Sequence, residues 1–195
     1  MPAKIGCPSN PIVLAGSVGY YPGCISAEEA DELFAALLKL KWSQQIYRGA
    51  GPDSPLCAWM GDSSPSPRLA AQAAMVEWTP EAMRINLLAE ELTGCAFDSL
   101  LLNLYRDHRD SVDLNSSGIG EAPQTFPIAT VSLGAERRIR WENIKDGSTT
   151  TQLLEHGSLL LMPPGFQREN RHELPKQEKL CGPRISLAFS RKVAP

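Results

Sequence analysis

Helices first and short strands after them predict an α+β protein in which N-terminal helices pack on one sheet of a double-sheet jelly roll. The first half of the 195-residue chain holds two stretches with apolar residues at helical spacing. After Gly94 the pattern changes to short apolar and β-branched runs broken by turn formers. No internal repeat and no long low-complexity tract divides the chain, and its length suits one domain with a substantial core. Residues 1–195 are therefore expected to form a single domain: 1–25 an N-terminal extension, 26–96 a helical support and lid region, and 97–191 the jelly-roll core.

Ser26 with Glu29 three residues later forms a capping box ahead of Leu33, Phe34, Leu37 and Leu38, which marks the first helix. Residues 47–67 are rich in Gly, Pro, Ser and Asp. Only 56–60 is strand-like there, so a hairpin or loop is expected. Thr79 followed by Pro80 opens a second helix with an apolar face of Met83, Leu87, Leu88 and Leu92, and Gly94 stops it. Strands are expected at 99–105, 128–133, 138–141, 152–154, 158–162 and 184–189.

The net charge is −3 with a pI near 5.7, so the chain lacks the overall basic field that supplies most nonspecific phosphate affinity. The densest basic run is Arg137, Arg138 and Arg140. On a strand Arg138 and Arg140 share one face and Arg137 takes the other, and the run reads as a solvated face. Five scattered cysteines without C-x-x-C spacing fit buried thiols in a reducing compartment better than disulfides or zinc. With no continuous signal-peptide core and no apolar run of about 20 residues, a soluble, cytoplasmic protein without a membrane partner is expected.

Four segments fall in a telling order: FDSLLLNLYRD from Phe97, FPIATVSLGAER from Phe126, LEHGSLLLM from Leu154, and RHELPK from Arg171 followed by PRISLAF from Pro183. Together they resemble the AlkB-type Fe(II)- and 2-oxoglutarate-dependent dioxygenases, and most closely the nucleic-acid dealkylating members. The resemblance is strongest over residues 97–189 and traceable from Ala58. It implies a double-stranded β-helix. It also implies that Asn103, Tyr105 and Arg184 match the positions that hold the carboxylates of 2-oxoglutarate, and that His172 matches the distal iron ligand.

Elsewhere the chain departs from the family pattern. The His-x-Asp that should present two iron ligands reads Asn115-Ser116-Ser117. The acidic residues expected just after it are replaced by Gly118-Ile119-Gly120, and the lid residues by SSPSPR from Ser63. The second Arg of the family's R-x5-R pair is Ser190, with Arg191 one residue late and so on the opposite face of a strand. A facial triad needs two imidazoles and a carboxylate, and Asn115 and Ser117 offer only neutral oxygens. The degenerate triad leads to the expectation of a metal-independent protein with no cofactor, which has lost iron-dependent dealkylation. It would bind a small anion at Asn103, Tyr105, Arg184, Asn115, Ser117 and Ser190, or catalyse a non-oxidative reaction. Tyr105 and His172 would then serve as acid and base and Arg184 as anchor. Two alternatives stay open: an active Fe(II)/2-oxoglutarate oxygenase with an unusual ligand set, and a non-catalytic interaction or nucleic-acid-binding module. His108-Arg109-Asp110 also spells His-x-Asp, but it stands seven residues before Asn115 in a polar turn and should face solvent. His156 reads as a turn histidine.

Overall fold

Both helices form where their caps lie. The computed structural model describes residues 10–44, 51–61, 73–114 and 124–191. Helix α1 (Ala27–Leu37) starts at Ser26, whose Oγ accepts the Glu29 N–H at 3.3 Å. The Glu29 carboxylate reaches Arg84 of helix α2 (Pro80–Thr93) at 2.6 Å and ties the helices together. Thr79 Oγ1 accepts the Ala82 N–H at 3.2 Å, and Gly94 ends α2 at φ 65°. The buried face of α2 is Ala82, Ile85, Leu88 and Ala89, whereas Met83 and Leu87 are 55% and 65% exposed. Small side chains let the helix approach the sheet closely. Of the larger apolar residues that marked the expected face, Met83 and Leu87 are therefore displaced from it, whereas Leu88 and Leu92 pack against the core.

The helices cover one face of a nine-stranded sheet. Its strands are β1 (Ile12–Leu14), β2 (Val18–Tyr21), β3 (Ser43–Gln44), β4 (Leu56–Gly61), β5 (Ala74–Met75), β6 (Ser99–Tyr105), β7 (Ile128–Gly134), β10 (Ser158–Met162) and β12 (Arg184–Ser190). They run in the order β1-β2-β10-β7-β12-β6-β4-β3, with β5 added parallel to β4. A smaller sheet has the order β11-β8-β9, from β8 (Arg137–Asn143), β9 (Thr149–Leu154) and β11 (Asn170–Glu173), the last entered through the short helix α3 (Phe166–Glu169). This is the α+β jelly roll with helices on one sheet.

Strand alternation divides the core in two. Leu100, Leu102 and Leu104 of β6, with Ile185, Leu187 and Phe189 of β12, pack with Leu33, Ile85 and Leu88 of the helices. The opposite face of the large sheet meets the small sheet through Tyr20, Tyr105, Ile139, Trp141, Leu160 and Phe166.

The large sheet also takes in strands from outside 97–191. Strand β2 is buried throughout and pairs with β10, and β4 runs beside β6 along its whole length, where a hairpin or loop was expected. Tyr21 finds its partner at Leu159, far along the chain, and no local pattern announces such a pairing. Gly157, at φ 74°, brings its backbone against the Ile25 carbonyl, which a Cβ would strike. There Ile25 N–H donates to Gly157 O at 3.1 Å. Among the described cysteines, Cys57, Cys95 and Cys181 are not in disulfides, but Cys24 belongs to one, contrary to the expectation of thiols throughout. Sequence spacing carries no information on which cysteines the fold brings within bonding distance. No helix among the described residues is long and apolar enough to cross a membrane.

Candidate active site

Antiparallel register lines up a polar row across the inner face of the large sheet. Cys57, Asn103, Ser186, Ser132 and Ser158 stand side by side on β4, β6, β12, β7 and β10. The neighbouring row pairs Tyr105 with Arg184 and Arg184 with Gly134. Cys57 Sγ–H donates to Asn103 Oδ1 at 2.9 Å, which leaves the Asn103 amide N–H groups to donate elsewhere.

Arg184 is 1% exposed. Its Nη2 donates to Ser132 Oγ at 2.8 Å and its guanidinium lies 5.2 Å from the Tyr105 ring centroid, while Nε and Nη1 are buried without a hydrogen-bond partner among the described residues. Burial pulls its pKa down to about 10, partly offset by the Tyr105 phenol beside it. Burial also raises the Tyr105 phenol, so Tyr105 enters any site at neutral pH as a hydroxyl donor.

His172 stands on β11 opposite Trp141. Directly opposed residues point to one face, so His172 looks with Trp141 toward the large sheet, across from Tyr105 and Arg184. Its Nδ1 is buried and has no partner among the described residues, and burial lowers its pKa to about 4. Val112 and Leu174 exchange N–H···O bonds of 3.0 and 2.9 Å, which lays the chain leading toward Asn115 beside the strand that carries His172. Asn115, Ser117, the residues 118–120 and the segment 63–68 lie outside the described residues.

Desolvation of His172 makes the stability of the fold pH-dependent. Between about pH 4 and 6.5 the unfolded chain binds a proton that the folded imidazole does not, so stability should fall as pH drops through this window and be full above it. The loss is at most about 3 kcal/mol. Urea titrations of wild type and His172→Gln from pH 4 to 7 should differ in slope over this range; parallel curves would show that the imidazole is not desolvated.

The other candidates separate. Ser190 sits at the far end of β12, about 20 Å of extended strand from Arg184, and its Oγ lies 3.1 Å from Ser99 Oγ. It is therefore not part of the Arg184 cluster. Arg191 leaves the strand and stacks over Phe126 at 4.8 Å. Asp110 is buried rather than solvent-facing, because its carboxylate takes the Arg106 guanidinium at 2.7 and 2.8 Å and the Arg106 N–H at 2.7 Å. That leaves no free carboxylate for a displaced metal pair with His108. His156 Nδ1 accepts the Gly134 N–H at 2.8 Å, as a turn histidine does. Arg138 is exposed and Arg140 pairs with Glu173 at 2.6 Å, but Arg137 is fully buried. Arg137 shares alternation with Ile139 and Trp141, and that phase was the signal for an inward-facing cation.

The profile of the 2OG-Fe(II) oxygenase superfamily matches residues 17–189. The chain belongs to this superfamily. It is 33% identical over 181 residues to the alpha-ketoglutarate-dependent dioxygenase alkB homolog 3 of Bos taurus, covering 86% of this chain and 63% of that protein. It is also 33% identical over 126 residues to the DNA oxidative demethylase ALKBH2 of Mus musculus, covering 60% of this chain and 52% of that one. The chain thus spans just under two thirds of the length of the alkB homolog 3 relatives. The solved structure of OsALKBH1 shares the fold, with a TM-score of 0.70 and 15% identity over 93% of this chain and 100% of that one.

Membership overturns the expectation of a protein without cofactors, because the superfamily is defined by 2-oxoglutarate and Fe(II). The residues present fit 2-oxoglutarate: a buried guanidinium with two nitrogens unpaired among the described residues, beside a phenol and an amide, matches a carboxylate. For iron, His172 supplies a neutral imidazole whose Nδ1 has no partner among the described residues. Among the described residues no group of three His, Cys, Asp or Glu could hold a metal, and the two further family positions are outside them.

Proposed function

We propose that this chain is a 2-oxoglutarate-binding member of the superfamily that keeps the co-substrate anchor and has a weakened iron position, so that oxidative dealkylation is slow. Support comes chiefly from the Nε and Nη1 of buried Arg184, which have no partner among the described residues. A buried charge is costly unless paired, and a planar donor fork recovers that cost best against a carboxylate.

The neighbouring groups suit the same ligand. Asn103, held through Oδ1 by Cys57, turns its N–H groups to the ligand. Tyr105 donates a phenolic hydrogen bond that burial keeps from ionising. His172, neutral at pH 7, is an imidazole ligand rather than a proton donor, which disfavours the acid-base pairing of Tyr105 and His172. Iron and 2-oxoglutarate together supply the oxidising chemistry of the superfamily when bound. Asn115 and Ser117 bring neutral oxygens to positions where the family has an imidazole and a carboxylate, which lowers affinity for a divalent ion.

Calorimetric titration with 2-oxoglutarate tests the anchor. A saturable, one-site isotherm is expected, and no heat at millimolar ligand would overturn the assignment. The Arg138 and Arg140 face carries little free charge once Arg140 is paired with Glu173, so oligonucleotide binding should be weak near physiological salt. Tight anisotropy-detected binding that weakens steeply with salt would favour a nucleic-acid module.

A further inference from the structure

Arg137 is fully buried at the start of β8, and no ligand role falls to it in the reading above. Its Nη1 donates to Asp107 O at 3.0 Å, and its Nη2 donates to Asp110 O and Pro175 O, both at 2.8 Å. Its guanidinium also lies 5.6 Å from the Tyr105 ring centroid, a ring that Arg184 shares. The carbonyls it holds are not a random set. Asp107 and Asp110 belong to the turn after β6, which runs through the Val112 bridge toward Asn115. Pro175 directly follows Leu174, the other half of that bridge, three residues after His172. One side chain therefore touches the co-substrate tyrosine and fastens both segments on which the family places its metal ligands.

We propose that Arg137 is a positioning residue that fastens the turn after β6 and the segment following His172 to the co-substrate pocket, through these three carbonyls and the Tyr105 ring. The assignment rests on the proposed 2-oxoglutarate site. The fork is what matters: five N–H donors in a fixed plane can serve carbonyls from separate segments while the face lies on an aromatic ring, and a lysine ammonium cannot do both. Two tethers on the same segments act from outside, with Gln177 N–H donating to His108 O at 2.9 Å and Lys176 pairing with Asp53 at 2.6 Å. Arg137 joins the segments from within, to β8.

Arg137→Lys keeps the charge and loses the fork, and Arg137→Gln keeps an amide donor and loses the charge. Leu88→Ala, in the core between helices and sheet, controls for general destabilisation. Each protein is titrated calorimetrically with 2-oxoglutarate and followed by backbone hydrogen exchange. Both Arg137 variants should bind 2-oxoglutarate about tenfold more weakly or worse, with faster exchange confined to 107–112 and 174–177. Leu88→Ala should lower the melting temperature while leaving affinity and exchange in those segments as in wild type. Wild-type affinity in Arg137→Lys with a loss only in Arg137→Gln would mean that Arg137 acts through charge alone, and the proposal would fall. It would fall equally if exchange rose everywhere alike. Should wild type itself take up no 2-oxoglutarate, the Arg184 assignment fails, and exchange at 107–112 and 174–177 in the Arg137 variants still decides whether the clamp exists. If one variant does not fold, the other carries both measurements.

Discussion

Arg184→Met should raise the melting temperature of the ligand-free protein and erase its response to 2-oxoglutarate. Arg184 is 1% exposed and, among the described residues, satisfied at only one nitrogen, through Ser132. Depression of its pKa from 12.5 to about 10 corresponds to roughly 3 kcal/mol held against the charged form. Methionine of similar length removes that penalty, and the lost Ser132 bond costs about 1 kcal/mol. A net gain of about 1–2 kcal/mol follows, or about 2–8 °C for a domain of this size. Wild type should instead gain about 2.7 kcal/mol when 2-oxoglutarate stands at a hundredfold its Kd. Thermal melts with and without ligand separate the two effects. A variant that melts lower and keeps the ligand shift would make Arg184 a structural residue and remove the main support for the co-substrate site.

The parts of this site that were readable in the chain are those in which local pattern and family motif coincide. Asn103, Tyr105 and Arg184 lie on strands whose alternation is plain, and antiparallel register then brings Tyr105 opposite Arg184. The helix caps at Ser26 and Thr79 were equally legible, because a cap is a local hydrogen bond. What escaped depends on tertiary contact. Alternation alone puts Arg137 on the face opposite Arg138 and Arg140, but only its phase with buried Ile139 and Trp141 makes that face the inward one. Asp110 was read as a turn residue at the surface, but Arg106 draws it under cover. Met83 and Leu87 drew the eye to the wrong side of α2, where alanines face the sheet. In each case the decisive partner comes from packing, which charge and size in a short window do not report.

The double variant Asn115→His with Ser117→Asp should raise affinity for Mn(II), used as a probe of the iron position, by on the order of 100-fold or more, since an imidazole and a charged carboxylate replace two neutral donors. The rise is expected only if the two positions face His172, and the Val112–Leu174 bridge favours that by starting the segment beside β11. His172→Gln in the same background should reverse most of the gain, and a double variant with unchanged affinity would show that 115 and 117 are not directed to His172. Dealkylation of damaged bases should nevertheless stay slow. In the proposed reading Ser190 stands where the resemblance places a second arginine, and its hydroxyl lies 3.1 Å from that of Ser99, so it offers no cationic anchor for a carboxylate. Gly118 to Gly120 and the segment 63–68 lack the acidic and aromatic groups that would hold a base. A restored metal position without a positioned substrate leaves the reacting atoms unaligned, and misalignment by about 1 Å already costs about 100-fold in rate. Uncoupled turnover of 2-oxoglutarate to succinate is the expected gain. Efficient repair by the double variant would mean that the substrate contacts lie elsewhere in the chain and that positions 118–120 and 190 do not control them.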